Sequence, residues 1–196
     1  MNRVHRVLCR SSWWRDALEN RILPWALDGL QLGNDVLEVG PGPGRTTDLL
    51  RARVARLTCV EIDDRLAASL AERTAGGNVT VLHEDATATS LADSSFDSAV
   101  CFTMLHHVPS AELQDRLLRE VARVLRPGGV FAGVDSRYSR SFAMLHLFDT
   151  MVVVDPATFG QRLKVAGFVD TEIEEDARAF RFRGRRGPAP IDGPQQ

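Results

Sequence analysis

Lysine is almost missing from this chain: Lys164 stands alone among 24 basic residues, the rest being arginine. A phosphate loop of the G-x-x-x-x-G-K-[ST] type needs a lysine beside its glycines, and none lies near the glycine-rich stretch, which excludes that route to a nucleoside triphosphate. Cysteine is scarce too: Cys9, Cys59 and Cys101 are an odd number with no C-x-x-C pair, so no disulfide framework is expected. Cys59 and Cys101 fall in apolar, strand-like runs where a thiol acts as a small hydrophobe, which suits a reducing cytoplasm. No apolar run approaches the ~20 residues of a membrane span, and Met1 to Trp14 lack the apolar core of a secretory leader. Net charge is only −2, so nothing global draws the chain to nucleic acid or to an anionic membrane. There is no internal repeat. At 196 residues and 44% hydrophobic content, one globular domain with a modest appendage is expected.

What is present is a glycine loop. Asp35-Val36-Leu37-Glu38-Val39 reads as a short apolar strand, and Gly40-Pro41-Gly42-Pro43-Gly44 leads from it straight into a helix at Arg45-Thr46-Thr47. Glycines at alternate positions let backbone approach a ligand closely, and the helix start presents unpaired N–H groups to the same spot. Strands are then expected at 57–62, 79–83, 96–102 and 130–135. Helices are expected after Asp63, after Ser110 and from Asp155-Pro156, with Pro127-Gly128-Gly129 ending the second of them. Residues 168–175 and 178–183 alternate as two final strands. Strands joined by single helices predict an α/β, Rossmann-like, doubly wound, seven-stranded and mostly parallel sheet, its last two strands an antiparallel pair and helices on both faces. Residues 1–33 are read as helical cover, 34–183 as the cofactor-binding domain and 184–196 as a disordered tail.

A dinucleotide fingerprint places its third glycine one residue later, where this chain has Arg45, so a nicotinamide cofactor is disfavoured. The G-x-G-x-G spacing behind Glu38 instead resembles motif I of the class I S-adenosylmethionine-dependent methyltransferases, particularly the group of ubiquinone and menaquinone biosynthesis. The resemblance continues in order through Val60-Glu61-Ile62-Asp63, Glu84-Asp85-Ala86, Phe96 to Phe102, Leu105-His106-His107-Val108 and Leu125-Arg126-Pro127-Gly128-Gly129-Val130, covering residues 35 to about 135. It implies S-adenosyl-L-methionine as cofactor, S-adenosyl-L-homocysteine as product and no metal. It also implies a cofactor site built from Glu38, Gly40, Pro41, Gly42, Gly44, Thr46, Glu61, Ile62, Asp85, Ala86 and Phe102. Glu61 would take the ribose hydroxyls, Asp85 and the Ala86 N–H the adenine, and Glu38 with the Gly40 carbonyl the ammonium.

His106 and His107, just past the fourth strand, are the catalytic candidates, since imidazole accepts a proton near neutral pH. The ordinary alternative is packing beside the cofactor. Trp13, Tyr138 and His146 are candidate substrate contacts. Trp14 and Arg10 share Trp13's helix, and Phe142, Leu145 and Phe148 form an apolar stripe around His146 and Asp149. Arg178, Arg181, Arg183, Arg185 and Arg186 read as a solvated edge face. The expected acceptor is a small molecule, because no long insertion between strands builds an acceptor domain; a monomer or homodimer is expected. A nucleic-acid methyltransferase is the alternative, weakened by Cys101-Phe102-Thr103-Met104 standing where an Asn/Asp-Pro-Pro-Tyr-like loop would hold a base amine. A non-catalytic cofactor-binding protein of the same fold is the other.

Overall fold

Strand β1 (Asp35–Val39) is buried at every position after its first, as befits a strand covered on both faces. It lies between β2 (Arg56–Glu61) and β4 (Phe96–Phe102), parallel to both. The structure, a computed structural model, describes residues 11–146 and 149–188. Beyond β2 lies β3 (Val79–His83). Beyond β4 come β5 (Leu125–Ser136), β7 (Ala179–Arg186) and β6 (Phe168–Glu175), so the order is 3-2-1-4-5-7-6. Only β7 runs against its neighbours, pairing antiparallel with both β5 and β6. This is the Rossmann-like, seven-stranded, mostly parallel sheet the sequence predicts.

Alternation along the strands builds two cores. Leu37, Val39, Ala99, Cys101 and Phe131 face one side, under α5 (Ala111–Val124) and α7 (Pro156–Val165). Val36, Val100, Phe102 and Val134 face the other, under an N-terminal helical segment, α3 (Arg45–Leu50) and α4 (Asp64–Thr74). That segment is α1 (Ser12–Ala17), a π turn (Leu18–Ile22) and α2 (Leu23–Leu27). The π turn precedes Pro24, whose missing N–H an unbroken α-helix would have needed. Asp63, Ser110 and Asp155 cap their helices with side-chain oxygens, as expected. A 3-10 turn (Leu105–His107) follows β4, and α6 (Arg140–Leu145) follows β5. Among the described residues no helix is long and apolar enough to cross a membrane.

Three readings need correction. Pro127-Gly128-Gly129 does not end α5: the helix stops at Val124, Leu125 already pairs with Phe96, and the Pro-Gly-Gly stretch bulges out before Val130 rejoins Ser98. Cross-strand pairing overrode the local stop signal. The last strand runs to Arg186, past residue 183, because Gly184 lies under Phe168, where a Cβ would come within 3.1 Å of that side chain; residues 189–196 of the expected tail lie outside the described set. Finally, β7 is an inner strand. Phe180 and Phe182 are buried on one face. On the other, Arg181 donates to the Trp25 carbonyl and Arg183 to those of Ala26 and Asp28, so these arginines staple the N-terminal helices to the sheet.

Candidate active site

The strand order reverses at β1, and a cleft of about 380 Å³ opens there at the carboxyl ends of β1, β2 and β4. Such crevices are where doubly wound sheets hold ligands. Gly40, Pro41, Gly42, Thr46, Glu61, Ile62, Asp85, Ala86, Phe102 and His107 all line it.

The three loop glycines have left-handed φ angles of 64°, 56° and 78°, yet they do different work. A Cβ on Gly40 would fall 2.3 Å from the Met104 side chain, and one on Gly44 2.5 Å from Leu70 and Arg73. Only at Gly42 is the space clear to 4 Å. Gly42 is therefore the point of close approach, while Gly40 and Gly44 let neighbouring side chains pack; Gly44 does not line the cleft. Arg73 braces the loop from α4 by donating to the carbonyls of Pro43 and Gly44, both at 3.3 Å.

Glu61 ends β2 almost fully buried. One carboxylate oxygen accepts from the Gly42 N–H at 2.8 Å and the other from the Asp63 N–H at 3.0 Å. Each oxygen keeps acceptor capacity for a ligand donor. Glu38 differs: it is buried beneath the loop, where the hydroxyls of Thr46 and Thr47 and the Cys59 thiol donate to it. Burial pushes its carboxyl above the usual carboxylate range. It does not line the cleft; its contacts hold the loop to the first turn of α3.

Around the cleft stand Glu61, Asp63, Glu84, Asp85 and Asp149, against Arg45 as the sole arginine of the lining among the described residues. Asp85 folds back to accept from the Thr87 N–H at 2.8 Å, presenting Ala86 beside it. Ile62 is 66% exposed over the opening, and Phe102 closes the floor.

The histidines divide. His106 is 1% exposed and does not line the cleft. Its Nδ1–H donates to Asp135 at 2.5 Å and its backbone N–H to the same carboxylate at 3.1 Å. Asp135 is itself fully buried near the end of β5. His107 does line the cleft, its Nδ1 3.3 Å from the Thr150 carbonyl. His146 is buried against Phe142 and both other histidines instead of facing the cleft. Gln114 from α5 fixes this corner by donating to the carbonyls of Leu105 at 3.1 Å and Val152 at 2.8 Å.

Trp13 and Tyr138 are 61% and 65% exposed and neither lines the cleft. One residue along, Trp14 does, together with Leu18 of the π turn. Arg10 and Phe148 lie outside the described residues, as does the Leu145 side chain. Sequence reasoning also missed Thr103, Met104, Leu113 and Thr150, which line the cleft. Thr103 sits at φ 50°, rare for a β-branched residue. No local signal marks it; the fold brings these residues in.

Sheet order, glycine loop and cleft define the class I methyltransferase architecture. Residues 37–133 match the family described as a methyltransferase domain, and the chain belongs to the class I S-adenosylmethionine-dependent methyltransferase family. It is 34% identical, over 78% of its length and 57% of the relative's, to a "probable S-adenosylmethionine-dependent methyltransferase" of Mycolicibacterium smegmatis. To a "probable ribosomal RNA small subunit methyltransferase A" of Haloarcula marismortui it is 31% identical over 82% of this chain and 52% of that one. To a ubiquinone biosynthesis O-methyltransferase of Paracidovorax citrulli it is 29% identical over 62% and 52%. The chain thus spans little more than half the length of these relatives. A solved structure of Haemonchus contortus phosphoethanolamine N-methyltransferase 2 with S-adenosyl-L-methionine shares the fold, with TM-score 0.73 and 15% identity over 96% of this chain and 61% of that one.

Proposed function

We propose that the protein transfers a methyl group from S-adenosyl-L-methionine to a small-molecule acceptor. The observation that carries this reading is Glu61: a nearly buried carboxylate, oriented by two backbone N–H groups, at the mouth of a glycine loop open at Gly42. That donor set fits a ribose diol, which offers two hydroxyl donors. The acidic lining suits a ligand carrying a sulfonium and an ammonium and repels a pyrophosphate. When bound, the cofactor supplies an electrophilic methyl that an acceptor lone pair displaces in line. Glu61 holds the ribose, Asp85 and the Ala86 N–H face the adenine, Ile62 and Phe102 offer apolar cover, and Gly42 lets the methionine end approach. His107, Trp14 and Asp149 border the acceptor end, with His106 behind them on the turn it shares with His107.

The same charge pattern disfavours an RNA acceptor, since phosphates would meet carboxylates, and Arg181, Arg183 and Arg186 of β7 are spent on the carbonyls of Trp25, Ala26, Asp28 and the end of α5. The protein's expected setting is the cytoplasm, where Cys59 and Cys101 would stay reduced. Purified protein given methyl-labelled cofactor with a metabolite extract, and separately with total RNA, tests the proposal. Label is expected in the small-molecule fraction. Label confined to RNA would overturn the acceptor class, and no label in either would favour a cofactor-binding protein without transferase activity.

A further inference from the structure

We infer that His106, His107 and His146 form a three-histidine site for a divalent transition metal of the zinc class. One ring nitrogen from each lies within 4.8 Å of the other two. The rings converge, with centroids 4.2 Å (His106–His107), 5.0 Å (His106–His146) and 5.3 Å (His107–His146) apart. Three nitrogens bound at about 2.0–2.1 Å on a tetrahedral ion sit roughly 3.3 Å apart, so modest ring rotations complete the site.

The surroundings argue for a site and not a chance cluster. Each Nδ1 faces an acceptor: the Asp135 carboxylate for His106, the Phe142 carbonyl at 2.8 Å for His146, and the Thr150 carbonyl at 3.3 Å for His107. A carbonyl only accepts, so Nδ1 carries the hydrogen and Nε2 keeps its lone pair. This is the outer shell that metal-binding imidazoles use: a carboxylate or backbone carbonyl behind each ring fixes tautomer and direction. A second observation is independent of that pattern. His106 Nε2 is buried and has no hydrogen-bond partner among the described residues, and a buried nitrogen lone pair without a donor calls for an explanation. Metal coordination supplies one.

The ligands are rigidly mounted. His106 and His107 are neighbours on the 3-10 turn, anchored through Gln114 and through the Val152 N–H donating to the His106 carbonyl at 2.8 Å. Three neutral nitrogens and no thiolate suit zinc, with copper, nickel and iron as chemical neighbours. Because His107 and Thr150 line the cleft while His106 and His146 lie behind, a fourth coordination position would open toward the cleft, the arrangement of catalytic zinc centres. This departs from the sequence-based expectation of no metal. It also replaces a base role for His107, whose Nε2 lone pair would be committed to the ion. Metal binding itself does not depend on the methyltransferase reading.

The test is a titration of the full chain, free of any histidine tag and without methyl donor, with Co(II) followed by Zn(II). Tetrahedral Co(II) d–d absorption saturating at one equivalent, without thiolate charge transfer, and its loss on adding Zn(II) are expected. His146→Ala and the cleft-side His107→Gln should each weaken Co(II) binding about 100-fold, and Asp135→Asn about 10- to 100-fold. Circular dichroism identifies any variant that fails to fold; His107→Gln, at the least buried position, keeps the test decisive. No tetrahedral spectrum, or binding unchanged in the two histidine variants, would overturn the site while leaving the methyl-donor cleft untouched.

Discussion

The glycines of the loop read alike in sequence and differ in the molecule. Gly42 opens onto free space, whereas Gly40 is held against Met104. Both have left-handed φ, so a Cβ adds roughly 1–2 kcal/mol of strain at either. Gly42→Ala should therefore cost little more than that strain in stability, yet lower S-adenosyl-L-methionine affinity about tenfold or more by filling the approach. Gly40→Ala should instead lower thermal stability further through its clash, and Met104→Ala should restore part of the loss. Thermal melts beside calorimetry check the split; equal effects of the two substitutions on binding and on melting would refute it. Glu38 and Glu61 make the same point. Both are acidic and end-of-strand in the sequence, but only the fold reveals that two hydroxyls and a thiol enclose the first while the second borders the cleft.

Among the elements, α5 and the β3–β4 connection are tied by one carboxylate. Glu120 takes Arg123 and accepts from the Thr89 N–H at 2.8 Å and its hydroxyl at 2.6 Å, while Arg123 also reaches Asp93. The Arg123 guanidinium, helped by Thr89, holds the Glu120 carboxyl down at about 2 against an ordinary 4.5. A lowered folded-state pKa gives stability that is full above pH 4.5 and lost as pH falls toward 2. After discounting for partial exposure of Arg123, the contribution is about 1–3 kcal/mol. Glu120→Gln should thus destabilise the protein at pH 7 by that order and flatten its acid limb over this window, measured by urea melts at several pH values. An unchanged pH profile would contradict the role. Elements whose signals are local were legible: the caps Asp63, Ser110 and Asp155, and strands β1 to β4. Those set by distant pairing were not. Leu125 leaves α5 because Phe96 pairs with it, and Arg181 and Arg183 are tied down because α2 lies on β7.

At the scale of the whole molecule, a doubly wound, mostly parallel seven-stranded sheet could be read because strands joined by single helices leave few architectures, and the switch point beside β1 then located the cleft; the order of the strands emerges only in the fold. The acceptor end could not be read. It is assembled from the π turn, the loop after β4 and residues 149–150, which only the tertiary fold brings together; Trp14 and not Trp13 faces inward for the same reason. The histidine corner likewise joins residues about forty positions apart. The central claim is that this cleft holds a methyl donor, and isothermal calorimetry of the purified chain tests it most directly. One-to-one binding of S-adenosyl-L-methionine or S-adenosyl-L-homocysteine, not competed by NADH, is predicted, with Glu61→Ala weakening it by about 1.5–3 kcal/mol while the fold is kept. No binding of either compound to the folded protein, or full affinity in Glu61→Ala, would contradict it.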